Sequence, residues 1–411
     1  MDLGPGLVTG AADDDPSGIA TYSQAGAQFG YGMLWPLVVT YPLMAGIQLI
    51  SARIGRVSGH GLATNIRRHY PRWLLWCVVA LLVVANTINI GADIAAMGDA
   101  VVLVVGGNAR VYIVSFGALS VLLQVFIPYS RYSHILKWLT LSLLAYVGTV
   151  FVLRVPWHEV ALNTFLPRVT LSKDFLTTVV AVLGTTISPY LFFWQASQEV
   201  EELRADPAAR PLRFMRRGRA AQLHRMEVDT WVGMAFSNLV AYFIVLTTAA
   251  TLHAHGNVSI ETSAQAASAL RPVAGDFAFV LFSLGIVGTG LLAVPVLAGS
   301  AAYAVAGAFR WKNSLEDKPQ AAREFYAIIA ASTVAGVAMS FMPINPIKAL
   351  YWSAVINGVI AVPIMVLMMF MVARHDVMGT LVADAKLKAL GWVCTLTMAA
   401  AVLAMFVTML G

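Results

Sequence analysis

The chain has 411 residues, 59% of them hydrophobic and 12% charged, with a mean hydropathy of +0.74 and a formal net charge of +6. These values mark a polytopic membrane protein, in which the positive charge serves orientation and not nucleic-acid binding. The two cysteines, Cys77 and Cys394, both lie in apolar runs, so neither a disulfide framework nor a thiolate metal cluster is supported.

The apolar runs are helix length, unlike the roughly ten-residue alternating strands of a membrane barrel, so the chain reads as an all-α bundle. The opening lacks a basic stretch before its apolar run, and no cleavable signal is expected. A first segment covers about 5–30, and helices follow near 33–54, 73–105, 111–128 and 133–153. A sixth segment covers about 174–203, followed by helices near 229–252, 275–309, 322–342, 345–372 and 387–410. That gives eleven transmembrane spans.

Two of these spans are interrupted. Asp13-Asp14-Asp15-Pro16-Ser17-Gly18 places three acids, a proline and a glycine inside the first apolar segment. An Asp at the centre of a membrane helix costs roughly 2.5–3.5 kcal/mol on insertion scales, so the stretch needs a function or a surface location. One reading makes residues 1–17 a polar extension with Ser17 capping the first helix. The other breaks the helix at membrane depth, where freed carbonyls and Asp15 line an ion site. A matching break in the sixth span, Gly184-Thr185-Thr186-Ile187-Ser188-Pro189-Tyr190, favours the second reading. Asp13 and Asp14 then either draw cations to the mouth or end the helix.

With the N-terminus cytoplasmic, twenty-one of the 27 Lys and Arg residues fall on the inner side. They include Arg131 and Lys137, and the run Arg204, Arg210, Arg213, Arg216, Arg217, Arg219 and Arg225 in the connection 204–225. Ten spans divide into two fives, 1–153 and 174–372, each opening on its broken helix. Residues 154–173 form an outer loop carrying solvated His158 and Glu159, and 373–411 a peripheral eleventh helix. This is a five-plus-five inverted repeat of the LeuT-like kind, with its site between the two breaks. Glu199, Glu201 and Glu202 read as solvated or paired with arginines.

The residues also resemble a known family. Gly4-Pro5-Gly6, Asp15-Pro16-Ser17-Gly18, Gln24-Ala25-Gly26-Ala27-Gln28-Phe29-Gly30-Tyr31 and Leu34-Trp35 are similar to the first helix of the NRAMP divalent-metal transporters. That helix reads G-P-G, D-P-G-N, Q-A-G-x-x-F-G-Y and L-W. The likeness covers the whole chain in span order, with its specific residues in spans 1, 3 and 6.

The resemblance implies that metal ligands come from D-P-G-N, here Asp15 and Gly18, and from a span-6 A-x-x-M-P-H, here Thr185, Ser188, Pro189 and Tyr190. The Asn side chain and the Met thioether are both lost. Hydroxyl, carboxylate and carbonyl oxygens suit Mg²⁺, whereas a thioether suits transition metals. The pattern therefore looks like the NRAMP-related magnesium transporters, which accept Mg²⁺ and Mn²⁺. The family's proton-relay positions map to Tyr190, Gln195, Asn86 and Asp93, of which Asp93 alone titrates usefully, so uptake without proton coupling is implied. Asp14 and Asn357, midway along span 10, complete the candidate pathway.

Mg²⁺ or Mn²⁺ is thus expected as transported substrate in the cell membrane, with no cofactor, no nucleic acid and no obligate protein partner. Two other readings are a proton-coupled Mn²⁺/Fe²⁺ symporter and an organic-substrate symporter of the same fold, whose carboxylate the acids at Asp13–Asp15 would repel. No hydrolase, metalloprotease or nucleotide-loop motif supports an enzyme.

Overall fold

The computed structural model describes residues 4–127, 141–205, 209–215 and 217–410. The first span is two helices, α1 (Pro5–Asp13) and α2 (Pro16–Phe29), and the chain between them is not helical. Pro16 dictates the break, because its ring disfavours the helical region for the residue before it. Asp15 accordingly sits at φ −71°, ψ 170° and caps α2, with Pro16 in the first helical position. The reading of residues 1–17 as a polar extension is therefore overturned.

The remaining long helices are α3 (Trp35–Ser58), α4 (Arg72–Val105), α5 (Ala109–Phe126) and the shorter α6 (Leu144–Val152). The first eight residues of the expected helix 133–153, with Lys137, lie outside the described residues, as do Arg131 and Arg216. The sixth span repeats the logic of the first: α7 (Lys173–Thr186) ends before Ser188-Pro189, and Pro189 opens α8 (Pro189–Ala205). Beyond it come α9 (Arg219–Thr251), α10 (Ala278–Phe309), α11 (Arg323–Met339), α12 (Pro346–Ala373) and α13 (Ala385–Leu410).

Among the described residues, eight stretches are long and apolar enough to cross a membrane. The interrupted first span, the short Leu141–Val152 stretch and the 17-residue α11 complete the expected eleven. Leu122, Val334, Leu403 and Val407 are exposed on the outside of the bundle, as a lipid-facing surface requires. Cys77 is exposed and Cys394 buried.

Two expectations need correction. α9 begins ten residues before the expected 229, so Arg219 and Arg225 stand on a helix that continues past the apolar stretch. The stretch 154–173 holds a helix, Trp157–Phe165, seated by buried Val160 and by a 2.8 Å contact between the Thr164 and Tyr242 hydroxyls. His158 and Glu159 on it are exposed as expected.

The two broken spans are held by backbone-close packing. A Cβ on Gly10 of α1 would lie 2.3 Å from the Gly233 carbonyl oxygen of α9, and one on Gly184 of α7 would lie 2.1 Å from the Ala354 carbonyl oxygen of α12. Without a hydrophobic drive between helices in lipid, small residues allow the close approach that makes such contacts favourable. At the N-terminal end, Asp229 of α9 accepts the Gly6 amide at 2.6 Å. Arg56 of α3 pairs with Glu202 at 2.6 Å and Glu199 at 3.6 Å, and Arg225 adds Glu202 at 3.0 Å. Glu201 bonds Ser314 and Tyr303 and meets Arg204. The three glutamates are thus paired, and Glu199 and Glu201 are buried.

Candidate functional site

The site forms where the two breaks cross. Asp15 is 2% exposed and each of its oxygens is doubly engaged. Oδ1 accepts from the Gly18 amide and the Ser17 hydroxyl, both at 2.7 Å. Oδ2 accepts from Asn89 Nδ2 at 3.0 Å and from the Tyr190 hydroxyl at 3.3 Å. The first pair is the ordinary capping of α2, whose N-terminal dipole also favours the negative charge. The second pair reaches Asp15 from α4 and α8 and brings three spans to one carboxylate.

Ser188 uses its hydroxyl on its own chain, donating toward the Gly184 and Thr185 carbonyls at 2.8 and 2.9 Å. Those carbonyls would otherwise be unsatisfied at the end of α7. Gly18 serves close approach: a Cβ there would stand 3.3 Å from the Tyr22 ring and 3.5 Å from Asp15 Oδ1. A larger residue at 18 requires Tyr22 to move.

Other expected residues lie elsewhere in the buried interior of the bundle. Asp93 is fully buried, neither of its oxygens has a hydrogen bond of normal geometry, and the Ser17 amide and the Asp15 carboxylate face it. Asn86 ties α4 to α10 through the Leu297 carbonyl at 2.8 Å and Ser300 at 2.7 Å. Gln195 accepts from Thr9 of α1 and donates to Glu199 at 3.2 Å, toward the N-terminal end. Asn357 is 1% exposed on α12, next to the Gly358 that Gly184 contacts. Asp13 and Asp14 lie at no mouth: they are 0% and 3% exposed and share the Ser237 hydroxyl of α9, at 2.5 and 3.2 Å.

Asn89, Ser237 and Tyr22 were not expected. Asn89 had a signal, standing three residues after Asn86 and four before Asp93, hence on the same face of α4. Among the described residues no Lys, Arg or His pairs with Asp13, Asp14, Asp15 or Asp93. Nor do three or more His, Cys, Asp or Glu side chains converge as a ready metal cage there. At the far end of α2 a cavity of about 240 Å³ is lined by Gln24, Gln28, Asp174, Thr177 and Tyr351 among others.

The family model described as "natural resistance-associated macrophage protein-like" (Nramp) matches residues 6–408. The chain belongs to the Nramp family. Among curated Nramp relatives, the divalent metal cation transporter MntH of Chromohalobacter salexigens is 26% identical over 419 aligned positions, covering 100% of this chain and 92% of the relative. The MntH of Klebsiella pneumoniae is 25% identical, covering 95% and 90%. Of solved structures, the Eremococcus coleocola manganese transporter superposes with a TM-score of 0.73 at 17% identity, covering 100% of this chain and 87% of that one. Mhp1, a nucleobase-cation-symport-1 transporter in a closed conformation, gives 0.61 at 16%, covering 100% and 92%. These likenesses establish the fold, a multi-pass Nramp bundle with broken first and sixth spans.

Proposed function

We propose that this Nramp protein carries Mg²⁺ and Mn²⁺ into the cell by alternating access without a coupled proton, its N-terminus in the cytoplasm. The observation that carries this reading is the surroundings of Asp15: its four partners are two hydroxyls, an amide N–H and a carboxamide, with no thioether or imidazole among them. Mg²⁺ is usually held by one or two carboxylates while keeping several waters. The waters of such an ion present hydrogens, and the buried oxygens without hydrogen-bond partners include Asn86 Oδ1, Asn89 Oδ1, Asn357 Oδ1 and both of Asp93. Asp15 supplies the principal charge, with Gly18, Thr185 and Ser188 closest to the ion. Asp14, Asn86, Asp93, Tyr190, Gln195 and Asn357 line the pathway. The naming of the curated relatives as divalent metal cation transporters supports the ion class.

Asp93 favours the second reading, a proton-coupled symporter, because a buried carboxyl that accepts no hydrogen bond of normal geometry among the described residues can carry a proton. One assay separates the two. Proteoliposomes holding a Mg²⁺-sensitive dye and a pH dye are placed under a negative-inside potential, which favours each divalent ion by roughly 4.6 kcal/mol per 100 mV. Mg²⁺ and Mn²⁺ entry without acidification is expected. Mn²⁺ entry with acidification and no Mg²⁺ transport would overturn the proposal.

Asn89 provides a finer check. Asn89→Ala leaves Tyr190 as the sole donor to Asp15 Oδ2, an effect of about 1–3 kcal/mol on a charged acceptor. The apparent affinity for Mg²⁺ should fall about ten-fold, read from uptake against concentration. Unchanged uptake would place Asn89 outside the machinery.

A further inference from the structure

We propose that Asp13 and Asp14, with Ser237 of α9 and Tyr22 of α2, form a second divalent-cation station, separate from Asp15 and on the N-terminal side of the break. It rests on the reading that the chain moves divalent cations.

The argument starts from unequal compensation. The charge of Asp15 is answered by four donors and by the N-terminus of α2. Asp13 and Asp14 stand at the C-terminal end of α1, where the helix dipole is negative and favours a cation. Both carboxylates are buried, no basic side chain among the described residues pairs with them, and Ser237 has one hydrogen for the two. Asp13 Oδ1 has no hydrogen-bond partner among the described residues. A buried carboxyl is paired, coordinates a metal or takes up a proton, and the described residues supply no pair.

Tyr22 points to the same place independently. It lies seven residues after Asp15 on α2, and helical side chains lean toward the N-terminus, here toward the break. Its ring packs beside Gly18, whose Cβ position is 3.5 Å from the Asp13 carbonyl oxygen. The hydroxyl is fully buried with no hydrogen-bond partner among the described residues, and the charges acting on it are those of Asp13, Asp14 and Asp15. Two carboxylates and two hydroxyls hold a partly hydrated divalent ion loosely, as a station in transit requires.

The test counts Mn²⁺ bound to the purified full chain in detergent by equilibrium dialysis. Two ions per chain are expected, with one remaining in Asp15→Ala and one in the double variant Asp13→Asn/Asp14→Asn. Ser237→Ala, which leaves both carboxylates in place, should hold two ions with one loosened about ten-fold, and it carries the test if the double variant does not fold. One ion in the parent chain that survives the double variant overturns the station and leaves those acids protonated. One ion lost equally in either variant also overturns it, in favour of a single bridged ion. No Mn²⁺ bound to the parent chain would instead remove the transporter reading itself.

Discussion

Asp15→Ala should abolish Mg²⁺ and Mn²⁺ uptake, lowering the initial rate at least about a hundred-fold, the equivalent of about 2.7 kcal/mol. The substitution removes the one carboxylate that α2, α4 and α8 all address. It leaves the Ser17, Gly18, Asn89 and Tyr190 donors aimed at a methyl group, where a cation meets hydrogens instead of an anion. The same change removes the cap of α2, worth about 0.5–2 kcal/mol of stability, so lost transport alone would be ambiguous. Asp15→Asn resolves this, since an Asn side chain caps a helix about as well as Asp and carries no charge. The expected pair of results is a melting temperature close to that of the parent chain for Asp15→Asn and no uptake in proteoliposomes. Near-normal uptake by Asp15→Asn would reduce Asp15 to a cap.

Both breaks were legible because a local rule produces them: the residue before proline avoids the helix, and Asp15-Pro16 and Ser188-Pro189 each obey it. Legibility declined where tertiary contact decides. Asp13 and Asp14 could have stood in water on their sequence alone; they are buried because Gly6, Gly10 and Gly233 let α1 lie directly on α9. Asn89 shares a helix face with Asn86 and Asp93, yet only the crossing of α2 and α4 selects it as the partner of Asp15. The start of α9 was misplaced because membrane hydropathy marks where lipid ends, and its polar first turns continue beyond that. Metal preference was read from the residues missing relative to the family. The structure adds that Ser188 turns its hydroxyl onto α7, the back-bonding to a helical carbonyl that a serine at this position also allows.

Ser188→Met should change the selectivity of the site more than any other single substitution. Methionine cannot donate to the Gly184 and Thr185 carbonyls, so both oxygens are released at the end of α7 while a thioether enters the break of the sixth span. A soft sulfur ligand favours transition metals over Mg²⁺, whose preference is for oxygen and retained water. Filling the space also obstructs a hydrated ion. Overpacking of a buried position costs about 1–3 kcal/mol, and Ser188 is 2% exposed, so some loss of stability should accompany the switch. The Mn²⁺-to-Mg²⁺ uptake ratio should rise at least about ten-fold, a shift of about 1.4 kcal/mol, measured by competition in the same vesicles. Ser188→Ala is the decisive companion, because it releases the same two carbonyls without sulfur or added bulk. If alanine leaves the ratio near that of the parent chain and methionine raises it, the side chain at 188 selects the ion through its chemistry and size. If alanine raises the ratio as far as methionine does, the released carbonyls are responsible, and hardness at position 188 does not account for the proposed preference for Mg²⁺.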